Sequence, residues 1–594
     1  MSNKFAFSKV ISLLFILFST TLPLNAGYLV VEDRFKEKIK TPSLQEVKRV
    51  KIRLDNGIEA LVISDPQTPK SGASLSVGAG MVHEPFERIG LAHFVEHMLF
   101  MGTEKYPIEK EYHEFIQENG GVSNAYTSVG QTVYMFEINN DKMSEAFSRF
   151  CSFFDSPLFN ESGLSRERQA VDNEFTYRTN TDSIREYLVL LEMTKKDHPL
   201  NFWRCGTKET LQDVPRDELV SWYKKMYGAD KMKLVVYTAQ PLQEALAAID
   251  ANLSCVAQSQ LPSEDIKGPL IDPQNFATKI YLEPIKNLKS VSITWEIPSE
   301  FNPDLEHHTM GLVAGAIAEE YPGSLSSFLK KQGLIQSLSS GGDTFDGKIS
   351  IFQVSAELTE KGVEQVDEVV SYIFQTINGL KKNGIPRYRF DELVNLSKAK
   401  YDYQSRPDVM NFVASTANNL RFESLETFPQ KHVWPTKFSP DRNQAFLEIL
   451  RAENAIYLIM APNEFMNQTL DKKEKLTKAN YTQTQISPKQ IEAWNKSAPS
   501  KLILMAPPNP YIPSNLKLIH TESHEDSTPP KLITKTDRST VYFKTDSTYL
   551  VPEIYYSFYI NSPLLNSSVE SQVLSDLYIL AMQDALSGLA DQGS

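Results

Sequence analysis

The stretch LAHFVEHMLF, Leu91 to Phe100, sets two histidines and a glutamate into an otherwise apolar run. In an α-helix, residues four apart lie about 40° from each other around the axis, so His93 and His97 project from one face. Two imidazoles stacked one turn apart can reach a single zinc ion at about 2 Å. Glu96 points to the same side, where its carboxylate can take a proton from a water that the metal activates. This is the H-x-x-E-H order, the inverse of the zincin H-E-x-x-H. Three fixed polar residues in so short a window arise by chance only about once in several thousand positions at average residue usage. Burying them among Leu, Phe, Val and Met is also costly unless they are paired or metal-bound. Both considerations disfavour a plain pair of core histidines.

A catalytic zinc takes three protein ligands and leaves a position open. The third should be a carboxylate or histidine on another helix, and SRERQAVDNEFTYR supplies candidates. Glu167 and Glu174 are two helical turns apart and share a face, while Asp172 points elsewhere. Either glutamate could ligate, leaving the other to support the site.

The elements around these residues read as follows. RVKIRL and IEALVIS flank an Asn-Gly turn and form a hairpin. ASLSVGAGMV is a third strand, and the histidine-bearing helix comes next. A second helix ends at Gly120 and Gly121, and strands follow at NAYTSVG and TVYMFEI. Helices from Lys142 to Phe154 and from about Gly163 to Tyr187 complete a mixed unit. A weaker echo begins at KSVSITWEIPSE: strand, helix near His308 to Ala318, helix, a turn at Ser340 to Gly342, the strand ISIFQVSAEL, and a helix through Leu380. The echo lacks H-x-x-E-H, so only the first copy can hold such a metal site. The division expected is 1–26, 27–265, 270–498, a Pro- and Ser-rich linker at 499–530, and a short unit at 531–594. That last piece holds two strands and a helix, too little to bury a sheet of the earlier kind.

At the N-terminus, Lys4 and Lys9 precede VISLLFILFSTTLPL and a small residue at Ala26, the pattern of a secretory signal. With 594 residues and a net charge of −13, the body is acidic, which disfavours nucleic acid and anionic membranes as partners. Cys151, Cys205 and Cys255 are widely spaced and contain no CxxC pair, which points away from a disulfide framework or a thiolate zinc site. His520 and His524 repeat the one-turn spacing but lie in the Ser/Thr/Pro linker. His307 and His308 are adjacent and cannot share a helix face. His83, His113, His198 and His432 lack partners in the sequence and read as structural.

HFVEHMLFMGTEKYP followed by AVDNEF resembles the pitrilysin/insulysin (insulinase) family of zinc metallopeptidases, in its long branch. The likeness continues through ENGGVSNAYTS, HPLNFWRCGTKETL, EEYPGSLSSFLKKQGL and NPYIPSNL. It implies an α+β fold of tandem homologous sheet-plus-helix domains of the pitrilysin/mitochondrial processing peptidase type. It also implies one zinc per chain, held by His93, His97 and Glu174, with Glu167 behind them and Glu96 as general base. The substrate, a peptide or unfolded protein, would add as a strand along Ser123, Asn124, Ala125 and Tyr126, giving loose side-chain selectivity. In the second unit Tyr321 stands where insulysins carry glycine, which speaks against the family's grip on a peptide N-terminus there. Long members have four such domains, so this chain corresponds to the zinc half and part of a third. The expectation is a secreted, bacterial periplasmic endopeptidase, with a C-terminal-half chain or a second copy as a possible partner. The competing expectation is a peptide-binding subunit without catalysis, against which the complete ligand set argues.

Overall fold

The computed structural model describes residues 27–259, 266, 268–513, 515–518, 528–546, 550–565 and 567–593. The expected signal at 1–26 and the histidine pair His520/His524 fall outside these residues. Seven strands form the first sheet: β1 (Tyr28–Val31), β2 (Lys48–Leu54), β3 (Glu59–Ser64), β4 (Ser71–Val77), β5 (Val122–Thr127), β6 (Thr132–Ile138) and β7 (Met232–Thr238). Their order is β1-β2-β3-β7-β4-β6-β5, antiparallel except where β3 runs parallel to β7. β5 therefore lies at an edge, and its alternating half-buried pattern is that of a strand with one face on the protein and one toward solvent.

A second seven-stranded sheet holds β8 (Thr278–Leu282), β9 (Ser290–Ile297), β10 (Ile335–Phe345), β11 (Ile349–Leu358), β12 (Ala455–Met460), β13 (Lys472–Lys473) and β14 (Asn480–Gln485). Its order, β10-β11-β9-β12-β8-β14-β13, repeats the first in mirror listing. β8 and β12 are the parallel pair, and β10 lies at an edge, as β5 does in the first. Mixed strand-and-helix units in tandem are thus the α+β architecture expected. The turn expected at Ser340 to Gly342 is instead the middle of β10, paired with Phe352 to Val354. Glycine serves there for close approach, since a Cβ on Gly342 would overlap the Met310 sulfur. The chain reverses at Asp346 and Gly347.

Five helices of the first unit matter for the site: α1 (Leu91–Leu99), α2 (Glu111–Glu118), α3 (Met143–Asp155), α4 (Glu161–Thr179) and α5 (Asp182–Leu191). The single helix expected from Gly163 to Tyr187 is the pair α4 and α5. Thr181 is extended between them, and Asp182 is drawn off by the backbone amides of Ile285 (2.6 Å) and Lys286 (3.1 Å). These bonds anchor the start of α5 to the second unit.

The opposite face of the first sheet is covered by a segment from far along the chain. The helix Val409–Asn419 and the residues after it pack Val413, Ala417, Leu420 and Phe428 on Leu61, Ile63, Val235 and Tyr237. At this seam Arg406 donates from Nε to Asp65 Oδ2 (2.6 Å) and from a terminal nitrogen to Oδ1 (3.2 Å), and the Tyr237 hydroxyl adds a bond to Oδ2 (2.7 Å).

Past residue 530 the packing changes. β15 (Lys531–Lys535) and β16 (Thr540–Phe543) form a two-stranded ribbon exposed along its length. Ile554, Tyr555, Tyr556, Phe558, Tyr559 and Ile560 lie open to solvent in succession, and the helix Val569–Gly593 exposes Leu574, Leu577 and Leu580.

Burial pushes the Asp65 carboxyl up, but the bonds from Arg406 and Tyr237 more than offset it and hold the group below its ordinary value. A depressed carboxylate stabilises the fold above its unfolded value and loses that contribution as pH falls through the folded one. Asp65→Asn should therefore cost about 2 kcal/mol of urea-measured stability at neutral pH, the scale of hydrogen bonds to a charged group. The gap to the parent should stay constant down to about pH 4 and close only below it.

Candidate metal centre

α1 starts without a side-chain cap, at Gly90 in the left-handed region (φ 91°), and ends at Phe100. Leu91, Ala92, Phe94, Val95, Met98 and Leu99 are all buried in the first core, which fixes the helix roll. With those residues inward, His93 and His97 share the remaining face, their rings edge-on with centroids 4.8 Å apart.

α4 lies against that face. Glu174 Oε2 sits 3.4 Å from His93 Nε2 and 3.8 Å from His97 Nε2. These separations are long for hydrogen bonds and close to the edge of a tetrahedron, about 3.3 Å for ligands some 2.0–2.1 Å from a zinc ion. One donor atom from each of the three residues lies within 4.8 Å of the others. The remaining ring nitrogens are engaged outward: His93 Nδ1 with the Cys205 carbonyl (2.7 Å), His97 Nδ1 with Glu167 Oε2 (3.2 Å). Nδ1–H donation to those acceptors leaves each Nε2 with a lone pair aimed inward, the tautomer a metal needs. The donor set thus fits a divalent ion such as zinc. It also separates the two glutamates that spacing left equivalent, with Glu174 facing both imidazoles and Glu167 behind His97. Asp172 turns away to accept from the Lys208 amide (3.0 Å).

Glu174 uses its other oxygen, Oε1, to accept from Arg178 (2.6 Å). His93 and His97, together with the Arg178 guanidinium, hold its carboxyl far below the usual range. Glu96 is buried, and burial raises its proton affinity against the opposing pull of His93. Thr127 Oγ1, at the end of β5, donates to Glu96 Oε2 (2.5 Å). The expected substrate residues Ser123, Asn124, Ala125 and Tyr126 lie on that same strand, pairing with β6 only. An edge strand consequently runs up to the carboxylate beside the imidazole pair.

Thr127, Arg178 and Cys205 escape sequence reasoning. Thr127 adjoins the SNAY run and Arg178 follows Glu174 by one turn, so spacing could have flagged both. Cys205 acts through a backbone carbonyl, which every residue owns. The other histidines have local duties: His83 Nδ1 accepts from the Gly80 amide (3.0 Å), His198 Nδ1 from the Leu200 amide (3.1 Å), and His113 stacks on Phe100 (4.9 Å). Tyr321 is buried, its hydroxyl donating to the Leu504 carbonyl (2.6 Å).

A helix-borne imidazole pair closed by a carboxylate from a neighbouring helix defines a metallopeptidase-type centre on a duplicated α+β frame. Residues 59–201 match the family model "insulinase (peptidase family M16)", 213–397 the "peptidase M16 inactive domain", and 401–594 the "middle or third domain of peptidase M16". The chain belongs to the insulinase family. It is 31% identical to insulin-degrading enzyme-like 2 of Arabidopsis thaliana over 93% of this chain and 58% of that protein. To protease 3 of Escherichia coli it is 28% identical, over 98% of this chain and 60% of that one. The crystal structure of pitrilysin superposes with a TM-score of 0.80 at 27% identity, covering 96% of this chain and 60% of that chain. The chain thus spans about 60% of the length of these relatives.

Glu174→Ala, which removes one of three donors, should abolish stoichiometric zinc uptake in equilibrium dialysis. Glu167→Gln should retain uptake but weaken it by about tenfold to hundredfold, the scale of outer partners of ligating histidines.

Proposed function

We propose that this protein is a zinc-dependent endopeptidase acting on peptides and small unfolded proteins. His93, His97 and Glu174 hold one zinc ion per chain, and Glu96 is the general base. The observation that carries the reading is Glu174 Oε2 facing both Nε2 atoms while both Nδ1 atoms are tied back to the protein. Zinc bound there would polarise the scissile carbonyl and lower the pKa of water toward neutrality. Glu96 takes the proton from the attacking water and returns it to the departing amine. Thr127 holds the Glu96 carboxylate in place, and Glu167 holds the His97 ring. An extended peptide pairs its backbone with β5 at Ser123 to Tyr126, which selects for extension more than for side chains. Such pairing needs a segment free to extend, which peptides and unfolded chains supply.

The net charge of −13 keeps nucleic acid out of the account. No helix among the described residues is long and apolar enough to cross a membrane. The charged-then-apolar run at 1–26 supports secretion, into the periplasm of a bacterium. A second reading, in which activity depends on a partner, draws on the exposed run Ile554 to Ile560 and the exposed leucines of Val569–Gly593. Contiguous apolar surface of that kind marks an interaction site. A C-terminal-half chain of the same family, or a second copy, would cover it.

Purified protein should carry stoichiometric zinc and cleave a quenched, unstructured peptide. Glu96→Gln should lower kcat by at least about a hundredfold while zinc stays bound, the scale of general-base catalysis. Cleavage unaffected by that substitution would overturn the base assignment. Zinc-loaded protein without turnover, restored on adding the complementary half, would establish the partner-dependent reading.

A further inference from the structure

Glu84 and Arg204 form an ion pair sealed from solvent, with side-chain exposures of 0% and 1%. Neither offers an atom to the metal position. A buried ion pair is often no more stable than apolar side chains of equal volume, so its role has to be sought in what it holds.

Glu84 Oε2 accepts from the Gly90 amide (3.0 Å) and Oε1 from the Ala92 amide (2.8 Å). Those amides open α1, whose capping position, Gly90, has no side chain to offer. Glu84 supplies from outside the helix the acceptor that a capping side chain would give, and sets a negative charge at the positive end of the helix dipole. Arg204 binds Glu84 Oε2 through a terminal nitrogen (3.3 Å) and the Pro199 carbonyl through Nε (3.1 Å). Its guanidinium lies 5.5 Å from the Phe86 ring centroid and 5.7 Å from that of Phe202. The next residue, Cys205, gives the carbonyl that receives His93 Nδ1 at 2.7 Å. The residue after that, Gly206, meets Gly90 so closely that a Cβ on Gly90 would overlap its backbone. One carboxylate thus joins the first turn of α1 to the segment whose carbonyl orients a histidine of that same helix.

We propose that Glu84 and Arg204 are positioning residues of the metal centre: by clamping the start of α1 to the Arg204–Gly206 segment, they set the distance between His93 and the Cys205 carbonyl and so aim His93 Nε2 at the ion. The inference rests on the zinc reading above and concerns geometry, since neither residue touches the ion or substrate. Without the guanidinium, the segment carrying Cys205 loses its bond to the helix start, and the imidazole can rotate away from its ligating pose. Without the carboxylate, the two opening amides of α1 lose their acceptor and the first turn frays, carrying His93 with it.

The test compares Arg204→Met, Glu84→Gln and Ile249→Val in the full chain, by chelator-competition zinc affinity, thermal melting and the visible absorption of the cobalt-substituted protein. Ile249 is buried in the same core but lies on the helix Leu242–Leu253, outside the site. Arg204→Met and Glu84→Gln should each weaken zinc binding by about tenfold to hundredfold, as loss of an outer partner of a ligating histidine does, and should shift the cobalt bands. Ile249→Val should lower the melting temperature while zinc affinity and cobalt spectrum match the parent. Should Arg204→Met fail to fold, the nearly isosteric Glu84→Gln carries the test. Folded variants whose zinc affinities stay within about twofold of the parent, well short of that expected loss, would overturn the proposal. A parent protein that takes up no zinc would instead sink the zinc reading itself, so the two failures are distinguishable.

Discussion

Burial of His93 and Glu96 on one short apolar helix, with His97 half-buried beside them, is the constraint from which the rest of the site follows. Six residues of α1 are locked into the first core, and His93 and Glu96, at 8% and 6% exposure, go down with them. Unpartnered, such groups would cost several kcal/mol each. Each receives a partner from a different element: His93 from the Cys205 carbonyl, His97 from Glu167 on α4, and Glu96 from Thr127 on β5. Satisfying α1 therefore draws three separate segments to it. With their outer atoms spoken for, the two Nε2 atoms face one point, where Glu174 meets them.

The second unit shows the same architecture without that problem. The helix Thr309–Ala318 follows β9 as α1 follows β4, but its sequence TMGLVAGAIA carries no ionisable side chain. Leu312, Val313 and Ile317 pack into a core of their own, and the one buried hydroxyl, that of Thr309, is met locally by Asp304. What survives the duplication is the sheet order and its free edge, β10. An exposed sheet edge belongs to the fold, whereas the imidazole–carboxylate cluster belongs to the residues of α1 and α4.

How far the sequence disclosed this depends on the range of each interaction. The grouping of His93, Glu96 and His97 on one face was legible because helical spacing converts positions into directions, and the three are local to one another. Glu167 and Glu174 were legible as a pair, but spacing along α4 could not say which one faced α1, since that depends on how two helices pack. The hairpin at Asn56-Gly57 matches its sequence signal, whereas Ser340 to Gly342 reads as a turn because glycine's need for close approach to Met310 leaves no mark in the sequence. The break between α4 and α5 was hidden for a similar reason: Asp182 responds to amides at Ile285 and Lys286, far along the chain. The return of Val409–Asn419 to cover the first sheet was likewise invisible, because an apolar stripe names a buried face but not the face it is buried against.

The two sheets also meet at the tips of corresponding hairpins, and this bears on how rigid the site is. The β5–β6 turn and the β10–β11 turn converge on Arg421, whose guanidinium binds the Gly130 carbonyl (2.9 Å) and Asp346 (3.1 Å). Arg421 and Asp346 are 16% and 5% exposed, and beside them Val82, Val129 and Phe345 pack on Leu200, Leu270 and Ile349. Separating the tips would strand a largely buried charge, at a cost of about 3–5 kcal/mol when one partner is lost. Thr127 lies within a turn's length of Gly130, and its hydroxyl donates to Glu96. The placement of the Thr127 hydroxyl beside Glu96 is thus tied to the docking of a sheet that contributes no atom to the imidazole–carboxylate cluster, which is a physical reason for the second copy of the fold to remain attached to the first.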